Sequence, residues 1–270
     1  MSQGSPLAVP MPWDLVSAAY SEEVRPTFEI FARDALRMIA PRRESRIVDV
    51  ACGPGTLSVL AAQDGHTVDA LDFSPEMINH LKPRIGPLPI TAHLGDGQAL
   101  PFADGSFDAG FSMFGLMFFP DRAKGFAELR RVLKPGGKAA VSSWLAMDKI
   151  PVFAAMMGAV RETMWKAMGS PPPPDRPSPL TTAEECHDEM SASFANVEVH
   201  QMTTIQRERS ADALWESMTR TMAPVVLMKK SLGDKFAAVD AAARTAIRGV
   251  VGSGAVEVTL RAHLTVGTAR

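Results

Sequence analysis

The sequence predicts an α/β fold, doubly wound around a mostly parallel sheet. Three observations predict it. Short β-rich runs alternate with helical runs between residues 47 and 144. The first run, Ile47-Val48-Asp49-Val50, opens into a tight glycine turn, Ala51-Cys52-Gly53-Pro54-Gly55-Thr56. The second, Thr67-Val68-Asp69-Ala70-Leu71, ends on an acid, Asp72. Strand and helix in alternation with short links imply parallel strands with helices on both faces.

Each element has its own signal. Apolar residues from Trp13 to Ile39 recur at helical spacing, and Pro26 interrupts them, so two helices are expected, about 12–22 and 26–39. After the first strand, Leu57 to Ala62 reads as a helix start whose free N–H groups face the glycine turn. Ser74 suits the N-cap of the next helix and Pro75 its first position. Ile90 to Leu94 is a third strand, ending in Gly95-Asp96-Gly97-Gln98, and Ser106 to Met113 a fourth. Ala123 to Leu133 reads as a helix stopped by Lys134-Pro135-Gly136-Gly137, and Lys138 to Trp144 as a fifth strand. Pro151 to Met168 is an amphipathic, methionine-rich helix, and the proline run from Pro171 to Pro179 reads as an extended surface excursion near the pocket mouth. Thr181 or Thr182 caps another helix with Glu184 and Glu185 in its first turn. Asn196 to Met202 is a sixth strand. Ser210 opens a helical block interrupted at Pro224 and Gly233, and Val256 to Val266 alternates as a last strand.

The chemistry gathers on one edge. In open α/β sheets, ligands sit beyond the carboxyl ends of the strands, near the point where strand order reverses. Asp49 with its glycine turn, Asp72, Asp96 and the run Ser112-Met113-Phe114 all fall at such ends. Gly53 and Gly55 let a ligand approach the backbone. Asp72 suits the two hydroxyls of a ribose, and Asp96 can accept from an exocyclic amine such as that of adenine.

The runs VDVACGPGT, DFSPEMI, GDGQALPFADGSFD and LKPGG resemble the successive motifs of class I S-adenosylmethionine-dependent methyltransferases. They are most similar to the small-molecule branch that includes the ubiquinone/menaquinone C-methyltransferase type. The resemblance covers residues 11–145 well and the rest loosely. One departure is Ala51, where many members have glycine. The resemblance implies a seven-stranded Rossmann-like sheet whose last strand is antiparallel. It divides the chain into an N-terminal helical lid (1–40), a cofactor-binding core (41–150), and a segment (151–270) of helical cap insertions plus the last two strands, all in one domain. It implies S-adenosyl-L-methionine as cofactor. Asp49 would orient the glycine turn and reach toward the amino group. Ala51, Gly53 and Gly55 would present backbone, Asp72 would hold the ribose, and Phe73 and Met77 would flank adenine. Asp96, Gly97 and Gln98 would read the adenine edge, while Ser112, Met113 and Phe114 would line the methionine arm. Tyr20 could touch the methionine end or the substrate. Tyr20, Phe118 and Trp144 are the candidates for the acceptor pocket.

Composition bounds the partners. At 270 residues and 46% hydrophobic, the chain can bury one large core. A net charge of −2 with no basic run argues against nucleic acid or an anionic membrane. Cys52 and Cys186 are too few for a disulfide framework or a structural zinc site. No clustered acids or histidines suggest a metal. Met1 to Pro10 has no signal-peptide pattern, so a soluble cytoplasmic monomer or homodimer is expected. Methionines 218, 222 and 228 join those near 156–168 in suggesting an adaptable pocket for a small, largely apolar acceptor. The expected reaction is in-line methyl transfer, driven by proximity and desolvation. No histidine stands out as a base. Three alternatives stay open: an NAD(P)-dependent oxidoreductase, a non-catalytic cofactor-binding protein, or a non-methylating use of the same cofactor. Against the first, the third position of the dinucleotide fingerprint is Ser58, larger than its close packing prefers.

Overall fold

A computed structural model describes residues 5–168 and 178–270. Seven strands form one sheet in the order β3-β2-β1-β4-β5-β7-β6. They are β1 (Arg46–Val50), β2 (Thr67–Asp72), β3 (Ile90–Leu94), β4 (Phe107–Met113), β5 (Leu133–Trp144), β6 (Phe194–Glu208) and β7 (Val256–Ala269). The first five run parallel to one another, and β7 runs antiparallel between β5 and β6. Strand order therefore reverses between β1 and β4, which fixes where a ligand can sit.

Two cores flank the sheet. On one face, helices α2 (Arg25–Ile39), α3 (Thr56–Gln63) and α4 (Pro75–Ile85) bury Phe31, Leu57 and Leu81 against Ile47 and Phe111. On the other, α5 (Arg122–Val132) and α7 (Ala183–Ser191) bury Phe126, Leu129 and Met190 against Val48, Phe107 and Phe194. A third core lies beyond the strand ends. There α6 (Pro151–Met168), α8 (Ala211–Thr221), α9 (Ala223–Leu232) and α10 (Phe236–Val251) close around Trp215 and the first part of β7, Val256, Val258 and Leu260. The Trp215 indole donates to Asp240 at 2.8 Å, so this buried ring keeps its polar end satisfied.

Four expectations need correction. The two helices form, but Pro26 is not the break between them. It stands in the first turn of α2, where no N–H is required, and a five-residue π-helical turn, Tyr20–Val24, joins α2 to α1 (Pro10–Ala19). The helix does stop before Lys134 to Gly137, but the fifth strand does not wait for Lys138. Pairing of β5 begins at Leu133, and these residues form a bulge between Phe107↔Leu133 and Ala109↔Lys138, turned by Gly136 at φ 78°. The sixth strand is not confined to 196–202. It runs 15 residues along β7, and its outer half pairs Thr203 to Glu208 with Arg261 to Val256. The last strand extends past Val266 to Ala269. The caps at Ser74, Thr182 and Ser210 form as expected, each side chain accepting from an N–H three residues on. Pro171 to Pro174 lie outside the described residues. Among the described residues, no helix is long and apolar enough to cross a membrane.

Candidate functional site

The site begins at the turn after β1. Ala51, Gly53 and Gly55 have φ of 57°, 54° and 73°, so the chain passes through three left-handed residues. Glycine takes that conformation freely, but Ala51 does so against its own Cβ. Gly55 has a second constraint, because a Cβ there would come 2.3 Å from Leu81. Asp72 locks the turn from the next strand. Its Oδ2 accepts from the Gly53 N–H at 2.8 Å and its Oδ1 from the Ser74 N–H at 2.9 Å. Burial pushes its carboxyl up to about 6, against three backbone hydrogen bonds that lower it.

Two cavities open over these strand ends. The first, about 120 Å³, is walled by Ala51, Gly53, Asp72, Phe73, Met77, Asp96, Gly97, Gln98, Met113 and Phe114, with Tyr20 and Phe118 above. Gly97 sits so close beneath Phe119 and Val50 that a Cβ would lie 2.5 Å from the Phe119 ring. Asp96 accepts from the Gln98 N–H at 2.8 Å, which fixes the loop. The second cavity, about 320 Å³, is walled mainly by aromatic and methionine side chains, Trp144, Phe28, Phe153, Met117, Met147, Met218 and Met222 among them. Leu7, Trp13, Tyr20, Phe114 and Phe118 belong to both cavities.

Most predicted residues meet here, and three do not line either wall. Asp49 lies beneath the turn, 1% exposed. Its Oδ2 accepts from Ser58 Oγ at 2.6 Å, while its Oδ1 has no partner. Gly55 caps α3, facing Leu81. Ser112 is buried and its Oγ accepts from the Leu116 N–H at 3.2 Å, shaping the loop after β4 rather than touching the cavity. Trp144 lines only the second cavity. Met228 packs into the cap core.

Phe114 is the hinge between the cavities. Its φ is 59°, unusual for a bulky residue and a strain of about 1–3 kcal/mol. Three contacts hold it there. Its N–H donates to Ser142 Oγ at 2.9 Å, its ring stacks on Trp144 at 4.2 Å, and Phe28 packs across it at 4.7 Å. The strained backbone thus turns one ring into both chambers. The N-terminal helices supply the roof. Asp14 accepts from Ser74 Oγ at 2.5 Å, tying α1 to the cap of α4, and Trp13 packs on Phe118 at 4.9 Å. Trp13, Leu7 and Phe119 escaped the sequence reading as site residues. Trp13 carried only the helical spacing that any packing residue has.

Tyr20 remains a neutral phenol, since burial first and the nearby Asp72 charge second push its ionisation well above the usual tyrosine value. It can donate a hydrogen bond but is no base near neutral pH. Among the described residues no histidine lines either cavity. The His263 ring nitrogen lies 3.2 Å from the Thr181 carbonyl.

Comparison with known proteins agrees with this geometry. Residues 48–141 match the family model of a methyltransferase domain. An uncharacterized protein of Mycobacterium tuberculosis is 38% identical over 118 residues, 43% of this chain and 42% of that one. A demethylmenaquinone methyltransferase of Beutenbergia cavernae is 37% identical over 147 residues, 53% of this chain and 60% of the relative. The chain thus spans about half the length of the curated relatives it matches. Phosphoethanolamine N-methyltransferase 2 of Haemonchus contortus superposes with a TM-score of 0.54 at 17% identity, covering 88% of this chain and 52% of that one, a likeness of fold alone. Residues 48–141 thus match a methyltransferase domain, and the sheet that carries them has the fold of solved methyltransferase structures.

Proposed function

We propose that the protein transfers a methyl group from S-adenosyl-L-methionine to a small, largely apolar acceptor. One observation carries the reading: two cavities share a wall of Leu7, Trp13, Tyr20, Phe114 and Phe118, one rimmed by strand-end acids and the other by aromatic and methionine side chains.

The residues present fit the cofactor. Asp72 would accept ribose hydroxyls; Phe73 and Met77 would flank adenine, with the Asp96–Gln98 loop at its edge. Gly97 leaves a cradle that a Cβ would fill. Asp49, whose Oδ1 is partnerless, precedes Ala51 by two residues and would reach toward the amino end of the methionine arm from beneath the turn. When bound, the cofactor supplies a methyl group on a positively charged sulfur that leaves as a neutral thioether. The chain aligns donor and acceptor across Phe114 and excludes water with aromatic walls. Alignment of this kind is worth several kcal/mol, about 7–11 in the best cases. A weakly polar chamber also avoids over-stabilising the charged reactant. Tyr20, held neutral, would orient the acceptor rather than deprotonate it. In this reading residues 1–40 act as the lid, and α6 with α8 to α10 as the cap.

S-adenosylhomocysteine, the demethylated product, is expected to raise the melting temperature while NADH leaves it unchanged. A shift with NADH alone would favour the dinucleotide reading. Asp72→Asn is expected to weaken S-adenosylhomocysteine binding by roughly 1–3 kcal/mol, the cost of leaving ribose hydroxyls poorly matched. The wild-type affinity should also fall as pH drops through about 6, where the Asp72 carboxylate takes a proton, and the variant should lack that step. Titration calorimetry between pH 5 and 8 reads both effects, and parallel pH profiles would remove Asp72 from the ribose.

A further inference from the structure

The second cavity has an uneven wall. Among the described lining residues, Glu23 is the one with a charged side chain. It sits on the π-helical turn and faces α8, where Ser217 also lines the cavity. Ser217 Oγ donates to Glu23 Oε2 at 2.8 Å. Arg220, which does not line the cavity, donates from Nε to Oε1 at 2.7 Å and from Nη2 to Oε2 at 3.1 Å. The carboxylate is therefore fixed in place. A carboxylate offers about four acceptor positions, and these bonds take three, leaving capacity on Oε1. The Arg220 hydrogen bond holds the Glu23 carboxyl below its ordinary range, so it accepts hydrogen bonds rather than protons.

An acid entering this chamber would meet a fixed negative charge with no cation among the described lining residues to match it, and would be desolvated by the aromatic walls. A neutral hydroxyl or an amine would instead donate to Oε1. We propose that Glu23 is the specificity-determining residue of the acceptor cavity, selecting acceptors that present a hydroxyl or amine hydrogen-bond donor and rejecting carboxylic acids. The inference rests on reading this cavity as the acceptor site of methyl transfer.

The test uses four naphthalene probes of one shape: 2-naphthol, 2-naphthylamine, 2-methoxynaphthalene and 2-naphthoic acid. Binding to the full chain saturated with S-adenosylhomocysteine is read by calorimetry. The naphthol or the amine is expected to bind about tenfold tighter than the methoxy compound, the worth of one hydrogen bond to a charged group. The tighter of the two names the acceptor's donor, and naphthoic acid is expected not to bind. In Glu23→Gln the donor preference should shrink and naphthoic acid should gain affinity, because Arg220 is left without its counter-charge. Ser217→Ala frees an oxygen of the same carboxylate without removing its charge, so acid rejection should persist there. A merely structural link would make the two variants behave alike. Equal binding of all four probes, tight binding of naphthoic acid to the wild type, or no binding of any probe overturns the proposal. Failure of S-adenosylhomocysteine to bind would sink the methyl-transfer reading instead, and the probe ranking taken without it still decides Glu23.

Discussion

Gly115→Ala is expected to cost about 3 kcal/mol of stability, the upper part of the range for overpacking a filled site. A Cβ at Gly115 would lie 2.3 Å from the Ala51 Cβ, far inside contact distance. Its next neighbours, Ala51 O and Ser112 Oγ, are both at 3.4 Å and tolerable. The clash is thus with one methyl group, on a residue that already holds φ 57°. Neither backbone can yield cheaply, since Ala51 begins the glycine turn and Gly115 follows the strained Phe114. Ala51→Gly removes that methyl and relieves a left-handed alanine, a gain of about 1–2 kcal/mol set against greater freedom in the unfolded chain. Alone it should change stability little. Combined with Gly115→Ala it should restore most of the loss, giving a coupling energy of about 2–3 kcal/mol in a double-mutant cycle. Urea denaturation of the four proteins measures this, and additive losses would show that the two positions do not share one space. Both residues line the first cavity, so S-adenosylhomocysteine affinity should track the same pattern.

This pair shows where the sequence is legible and where it is not. The glycine turn and Asp72 were readable because their chemistry is local: a strand, a turn and an acid follow one another along the chain. The convergence of Asp72, the Asp96–Gln98 loop and Phe114 on one edge followed from parallel topology alone. Ala51 could be seen to stand where glycine is usual, but what its methyl group occupies depends on Gly115, a residue 64 positions away that meets it only across β1 and β4. The roof escaped for the same reason. Trp13 and Leu7 reach the cavities by way of α1, which Asp14 fastens to Ser74, a contact between residues 60 positions apart. The outer half of β6 was missed because its inward positions are polar, Thr204 being buried and Gln206 lining the second cavity, so burial alternates along Thr203 to Glu208 while hydrophobicity does not. The Lys134–Gly137 bulge carries the same residues as a helix stop. The cap methionines divided as tertiary packing required: Met218 and Met222 face the cavity, while Met156 is buried in the core.

Asp49→Asn should reveal how much buried charge the site carries. Burial, only partly offset by the Ser58 hydrogen bond, lifts the Asp49 carboxyl from an ordinary 3.8 to about 7. The folded state therefore holds this proton more tightly than the unfolded chain. The group's stabilising contribution is complete below about pH 4, where both states are protonated, and is lost as pH rises through about 7. Above that, the folded protein keeps a buried carboxylate with one oxygen unpartnered. At 1.36 kcal/mol per pKa unit, the full swing is about 4 kcal/mol. Asparagine has the same shape and no charge. It can keep the Ser58 contact through its carbonyl oxygen but places an amide N–H₂ donor where Oδ1 found no partner, a pH-independent loss of about 1–3 kcal/mol. The variant should thus be less stable than wild type near pH 4 and gain on it steadily toward pH 8, by up to about 4 kcal/mol. Urea unfolding at several pH values gives the difference directly. A difference that does not change with pH would mean Asp49 is already neutralised or solvated where it lies. A cationic amino group placed above the turn should steady the carboxylate, so S-adenosylhomocysteine should flatten the wild-type profile at high pH and leave the asparagine variant's profile unchanged in shape.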